Sequence, residues 1–337
     1  MGTLARSMQL ILQVMENMEK DETDRKSLET EWGRHAAIER TLKARLLIKY
    51  REETVAMVER FKVHFNSGMA SSCADAACNA SSEMLKIAEK TVKVISWQRF
   101  RAALRRNGVY ENLNINYDFS APFISTIVCA WRLTLDQDVF PKTSETLKGV
   151  TQDLLDQIPS ACHSSSFKKI VADRVVLMLE ETTSTLRSLH REVTSKIDKG
   201  QRSISTSIVP HIQDRLVEGY EKALEYEGPG SVALQKEYFI GFVEENRETM
   251  FQCLHDFILE DLNSLADSIG DVVGEIMEQL ADKIYDEMSL LWRASFGVGS
   301  KEAIKLRKDA KKFQNTLKTW IEASKALYTD SEMECTD

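Results

Sequence analysis

Apolar residues recur every three or four positions over two very long runs. The first stripe is Phe167, Val171, Val175, Met178, Thr182, Leu186, Leu189, Val193 and Ile197, and it continues through Ile204, Ile208, Ile212, Leu216 and Tyr220. The second is Ile258, Leu262, Leu265, Ile269, Val272, Ile276, Leu280, Ile284, Met288 and Leu291. That spacing puts one face of an α-helix against a core. Little in the chain interrupts it, because 337 residues include only 5 Pro and 14 Gly. Each run is roughly 60 residues, on the order of 90 Å at about 1.5 Å per residue. Gly228-Pro229-Gly230 reverses the chain between them. The pattern predicts an all-α fold, an elongated bundle of long antiparallel helices. Pro210 lacks a backbone donor and clashes with the preceding turn, so a kink or break is expected near it.

The same reading organises the rest of the chain. Met8, Ile11, Met15 and Met18 make one helical face within residues 4–20, and a looser stripe suggests a second helix over about 24–64. Residues 67–82 are rich in Ala, Ser and Gly, and read as a close-packed small-residue helix rather than a loose connection. Five segments follow: N-terminal helices over 1–66, a helical block over 67–160, a long helical hairpin over 161–296, a basic helix over 297–328 and an acidic disordered tail over 329–337. Charge inverts between the third and fourth. Ser231 to Trp292 carries 14 Asp or Glu against 3 Lys or Arg, whereas Arg293 to Tyr328 carries 9 basic against 3 acidic residues. The basic helix, with Leu306, Ala310, Phe313, Leu317, Trp320 and Leu327 in one stripe, is expected to fold back beside the acidic one. Each surface ion pair would add only about 0–1 kcal/mol, so apolar burial must supply most of the docking energy.

Composition narrows the class. Charged residues make up 28% and hydrophobic ones 43%, with a formal net charge of −8, as expected of a soluble chain with a core. No run of 18 apolar residues suggests a transmembrane helix. The start lacks a signal-peptide core, and Arg6 stands where myristoylation requires Ser or Thr. Six scattered Cys suggest reduced thiols and an intracellular location, nucleus or cytoplasm. The acidic balance argues against general nucleic-acid binding, though not against a local basic patch.

Residues 96–141 form the most distinctive block. Ser96-Trp97-Gln98-Arg99-Phe100-Arg101 opens a basic amphipathic helix containing Arg105 and Arg106, which Asn107-Gly108 stops ahead of Tyr110. Asn116-Tyr117-Asp118-Phe119-Ser120-Ala121-Pro122 follows, with a helix start expected at Ser120 and Pro122; that helix carries Trp131 and is expected to end near Pro141. This block resembles one in the helical, stalk-like region of dynamin-like large GTPases related to the germinal-centre-associated nuclear GTPase. There a Trp precedes an Arg-Arg-x-Gly-x-Tyr/Phe turn, and a second Trp sits about two dozen residues on. The matching positions are Trp97, Arg101, Arg105, Arg106, Asn107, Gly108, Tyr110, Trp131 and Pro141. The sequence departs from the family at Asp118-Phe119-Ser120, where an Asp-Leu-Asn step is usual. The resemblance covers about 45 residues and implies a dynamin-stalk-like fold. Trp97 and Trp131 are expected to pack in one local core that braces the Asn107-Gly108 turn.

The relatives carry a GTPase domain ahead of this region, and no such motif occurs here. A P-loop needs Gly-Lys-Ser/Thr after a leading Gly so that backbone N–H groups cradle phosphates. Neither tripeptide is present, and Gly297-Val298-Gly299-Ser300-Lys301 lacks the spacing. Asp267–Gly270, Asp271–Gly274 and Ser195–Asp198 match short nucleotide motifs only inside helix-periodic runs. Cys162-His163 and Cys253 with His255 lack the surroundings of a thiol nucleophile. No catalytic residue, metal site or cofactor is expected. The function expected is non-catalytic association, with itself or another helical protein, possibly a dynamin-like GTPase. Met8, Ile11, Met15, Met18, Leu254 and Phe257 are the candidate association surface. Lys305, Arg307, Lys308, Lys311 and Lys312 form a candidate nuclear-import patch. Other readings are part of a GTP-hydrolysing protein, a module that binds one in trans, or an unrelated helical scaffold.

Overall fold

A computed structural model describes residues 22–135, 137–160 and 165–293 together with Lys312, with side chains over 41–135, 137–158 and 168–289 and at Lys312. The fold of these residues is all-α apart from one two-stranded hairpin. Helix α1 is Glu22–Val94, α2 Trp97–Leu104, α3 Ile115–Leu135, α4 Phe140–Ser160, α5 Ser165–Leu224 and α6 Ser231–Arg293. Strands β1, Val109–Tyr110, and β2, Leu113–Asn114, lie between α2 and α3. The helix expected over 24–64 runs on to Val94, and the small-residue stretch 67–82 lies within it. The stripes continue past 66 with Met69, Cys73, Ala76, Ala80, Met84 and Ala88 buried, so nothing in the packing ends the helix there. Ring closure at Pro210 does not break α5, which is helical from Ser165 to Leu224. Gly228 and Gly230, at φ of 90° and 83°, make the turn into α6.

The chain divides into two compact units. One comprises Met1–Glu53, Ser144–Leu189 and Gly274–Asp337, the other Thr54–Thr143 and His190–Val273. In the second unit, contacts fix the direction of each helix. Lys62 pairs with Asp267 at 2.6 Å, and the Lys236 ammonium donates to the Val92 carbonyl at 2.6 Å, so α1 and α6 run antiparallel. The His64 ring lies 2.7 Å from the Thr134 carbonyl, and the Asn79 amide donates to Thr126 at 3.2 Å, so α1 and α3 are antiparallel too. Tyr220 stacks on Phe239 and His211 on Phe257, which opposes α5 to α6. The four helical segments therefore alternate in direction. Their core holds Phe61, Phe65, Phe119, Phe123, Phe239 and Phe251, none more than 1% exposed. Gly200 and Gly219 sit where Leu265 and Phe242 press on α5, with no room for a Cβ.

The first unit follows the same plan. The Arg45 guanidinium donates to Gln157 at 3.0 Å, and the Tyr50 and Thr151 hydroxyls are 2.7 Å apart, so α1 and α4 are antiparallel. Burial pushes the Tyr50 phenol up to about 12. Arg174, 3% exposed, is paired with Glu287 across α5 and α6. Desolvation lowers the affinity of that guanidinium for its proton.

Two expectations about association fall differently. Met8, Ile11, Met15 and Met18 lie outside the described residues. Leu254 is fully buried in the core of the second unit and cannot serve as an exposed contact. Leu254→Ala is expected to cost about 2–5 kcal/mol through the cavity it leaves. Circular dichroism should show a lowered thermal midpoint, and an unchanged midpoint would place the side chain outside the core.

Candidate functional site

In the block from Trp97 to Pro141, α2 and the hairpin lie at the end of the second unit where α1 finishes, and α3 then runs back along α1. Ser96 has extended backbone, and α2 begins at Trp97. The helix buries Phe100, Ala103 and Leu104, while Arg99 points away and Arg101 is half-buried. It ends in two bonds that together satisfy its last carbonyls. The Gly108 N–H donates to the Ala103 carbonyl at 2.9 Å, and the Asn107 N–H to the Leu104 carbonyl at 3.3 Å. This pairing needs a left-handed residue after the helix. Asn107 takes that role at φ 50°, and Gly108 follows at φ 86°. A two-residue turn at Glu111 and Asn112 then folds β1 onto β2, with Val109 opposite Asn114 and Tyr110 opposite Leu113.

A buried hydrogen-bond relay holds this turn. The Tyr220 hydroxyl on α5 donates to Asn116 Oδ1 at 2.7 Å, and Asn116 Nδ2 donates to the Asn107 carbonyl at 2.8 Å. Tyr220 and Asn116 are both fully buried. A Cβ at Gly108 would lie 2.8 Å from Tyr220 Cζ and 2.9 Å from Asn116 Nδ2. Gly108 is therefore required twice, by its backbone angle and by these two neighbours. Phe100, Phe119 and Tyr220 surround Phe239, with ring centroids 6.0, 6.3 and 5.4 Å from it.

Helix α3 begins five residues before the expected start. Asn114 Oδ1 accepts the Tyr117 N–H at 3.0 Å and caps the helix, so Ser120 and Pro122 lie inside it. The helix ends at Leu135, and Pro141 belongs instead to the first turn of α4, where its missing N–H costs nothing. Asp138 caps α4 by accepting the Phe140 N–H at 3.1 Å, and its other carboxylate oxygen lies 2.8 Å from His190 Nε2.

The Trp pair expected to brace the turn does not do so. Trp131 is buried on α3, but Trp97 is 53% exposed, and Tyr220 and Asn116 occupy the bracing position. Arg99 pairs with Glu111 at 3.3 Å, and the Arg106 guanidinium sits over the Tyr110 ring at 5.1 Å. Arg105 is exposed, whereas Arg101 is half-buried, with a Nε that has no hydrogen-bond partner. The block thus separates into a buried frame and an exposed set of cations around Trp97.

The other candidate residues do not join it. Phe257 is half-buried on α6, its ring centroid 4.8 Å from that of His211. Lys305, Arg307, Lys308 and Lys311 lie outside the described residues, and Lys312 is exposed. Cys162 and His163 also lie outside them. Cys73 is buried, which pushes its thiol up to about 11. His255 contacts Asp256 at 2.8 Å, in a pair on the surface of α6. Among the described residues no group of His, Cys, Asp and Glu side chains could hold a metal ion, and no helix is long and apolar enough to cross a membrane. Comparison with protein-family models, with curated proteins and with solved structures finds no match to this chain.

Two outcomes test this geometry. Tyr220→Phe would leave Asn116 Oδ1 buried without its donor, at about 1–3 kcal/mol. Gly108→Ala adds the cost of a left-handed backbone, about 1–2 kcal/mol, to the clash with the same pair. A double-mutant cycle by urea unfolding should show coupling between the two changes, and strict additivity would mean that they do not share a contact.

His211 supplies a pH test. Burial, and next the nearby Arg215 charge, hold its imidazole below the ordinary range, against the smaller opposing pull of Asp214 and Asp261. The unfolded chain therefore binds more protons as pH falls through about 6.5. Stability should be highest above that value and should decline as pH drops toward the folded-state value. His211→Phe keeps a ring against Phe257 and should flatten that part of the profile.

Proposed function

We propose that this chain is a helical interaction protein whose activity is association through helix surfaces, with itself or another helical protein. The all-α bundles provide rigid elements on which a docking surface can be held. The observation that supports the reading is Trp97, 53% exposed at the start of α2 beside Val94 at 78%. A large apolar side chain left in water, amid cations and on a rigid helix end, is the usual make-up of a protein-contact hot spot. The relay at the far, C-terminal end of α2 anchors that helix to the bundle, so docking would order little new backbone. The block's resemblance to the stalk region of dynamin-like GTPases fits a mechanical role of this kind. In that view GTP turnover belongs to a domain these 337 residues do not supply, and calorimetry with GTP and Mg²⁺ should show no stoichiometric complex.

Sedimentation tests the association. At micromolar concentration the protein should form a dimer or larger assembly, or else engage a helical partner. Trp97→Ala should weaken that association by about tenfold or more, equivalent to at least ~1.4 kcal/mol. It should leave the thermal midpoint within about a degree, because the residue lies outside the core. A lowered midpoint with unchanged association would return Trp97 to a packing role.

A further inference from the structure

Two oppositely charged surfaces lie at the same end of the second unit. The first is the corner where α1 meets α2. From Lys90 to Tyr110 the sequence contains no Asp or Glu. Lys90, Lys93, Arg105 and Arg106 are exposed there, around the exposed Val94 and Trp97, and Arg99 beside them is paired with Glu111. The second is the outer face of the first turns of α6. Leu234, Glu237, Gly241, Glu244, Glu245 and Glu248 recur at helical spacing on one side of it. The four carboxylates are exposed, and so is Leu234, at 48%. A Cβ at Gly241 would meet nothing within 4 Å, so the backbone there is open.

The basic residues of this part of α6 do not neutralise its carboxylates. Lys236 donates to the Val92 carbonyl at 2.6 Å, and Arg247 is turned to the Ser81 carbonyl at 3.5 Å, both on α1. Among the described residues no ion pair reaches Glu237, Glu244, Glu245 or Glu248. Glu244 and Glu248, four residues apart, repel each other. Each surface thus has an apolar centre and a charged rim, with the two rims opposite in sign.

We propose that the occupant of each surface is the other surface on a second copy of this chain. Trp97 and Val94 pack on Leu234 and the bare backbone at Gly241, while Arg105 and Arg106 face Glu244 and Glu248. The Lys236–Val92 bond holds the two surfaces side by side within one unit. A two-fold axis can therefore form both contacts at once, so the assembly closes as a dimer instead of growing into a filament. Charges of opposite sign at the rims set the register and speed the encounter.

The inference rests on the association reading, and charge reversal separates the two. R105E/R106E and E244K/E248K should each weaken the dimer about tenfold or more in sedimentation equilibrium. The chain carrying all four changes should dimerise within about threefold of the native protein, as should a mixture of the two reversed proteins in forming a heterodimer. E244K/E248K is the sharper variant. It moves the net charge from −8 to about −4, so general repulsion between copies would predict tighter association. An assembly indifferent to all the reversals would overturn these contacts and leave association through other surfaces standing. A native chain that is monomeric throughout would remove self-association itself. Monomers that sediment with phosphatidylserine vesicles through Arg105 and Arg106 would assign the corner to a lipid surface and overturn the inference. Circular dichroism of each variant should match the native spectrum, since all four positions are exposed.

Discussion

The Tyr220 hydroxyl holds the end of the second unit together. It is the only polar atom of a side chain otherwise packed on Phe239, and water does not reach it. Burial drives the phenol well above its ordinary range, so the group stays protonated and remains a donor. Its proton fixes Asn116 as an acceptor through Oδ1, which turns the amide nitrogen toward the Asn107 carbonyl. One orientation of one amide thus carries the position of a long helix into the turn that ends α2. The hairpin, the start of α3 and the direction of α2 all follow from that turn. A buried relay of this kind is stabilising only while every member is satisfied.

That frame explains why one block has two kinds of residue. Phe100, Ala103, Leu104, Gly108 and Trp131 face inward and set the geometry. Trp97, Arg99, Arg105 and Arg106 face outward and owe nothing to the core. α2 is short, with eight residues, so it gives the fold only a few buried side chains. Its rigidity comes from the bonded turn at its C-terminal end and from its buried Phe100, Ala103 and Leu104, not from its own length, since isolated helices of this size are marginal.

The helical class was legible because the apolar spacing persisted over dozens of residues. The Gly228–Gly230 turn and the stop at Asn107-Gly108 were legible because those residue types have few alternatives. The boundaries of α3 were not. Pro122 invites reading as a helix start, yet Asn114 caps the helix earlier and the bundle tolerates the proline within it. The hairpin at 109–114 was hidden because two-residue strands carry no periodicity, and its turn uses Glu111 at φ 51° in place of the usual Gly or Asn. The sequence points to Trp97 for the bracing role because large aromatics usually pack. In the sequence Tyr220 is one more stripe residue, since nothing in a helix-periodic stripe reveals that a phenol will meet an asparagine 104 positions earlier. Leu254 shows the converse limit: a stripe says that a side chain is apolar, not which of two surfaces covers it.

Each unit is drawn from separated stretches of chain, and this bears on how the protein is made. Lys43 finds its partner Asp282, and Lys62 finds Asp267, only after more than two hundred further residues have been added. A ribosome therefore releases the whole of α1 long before α6 exists, and until then its Phe61–Met84 face has at most α3 to cover it. Neither unit can close as a finished domain during synthesis, because each needs residues of α6. The exposed stripe is an aggregation hazard for that interval. Cellular yield should thus depend on elongation speed and on holdase chaperones more than on the final stability of the helices.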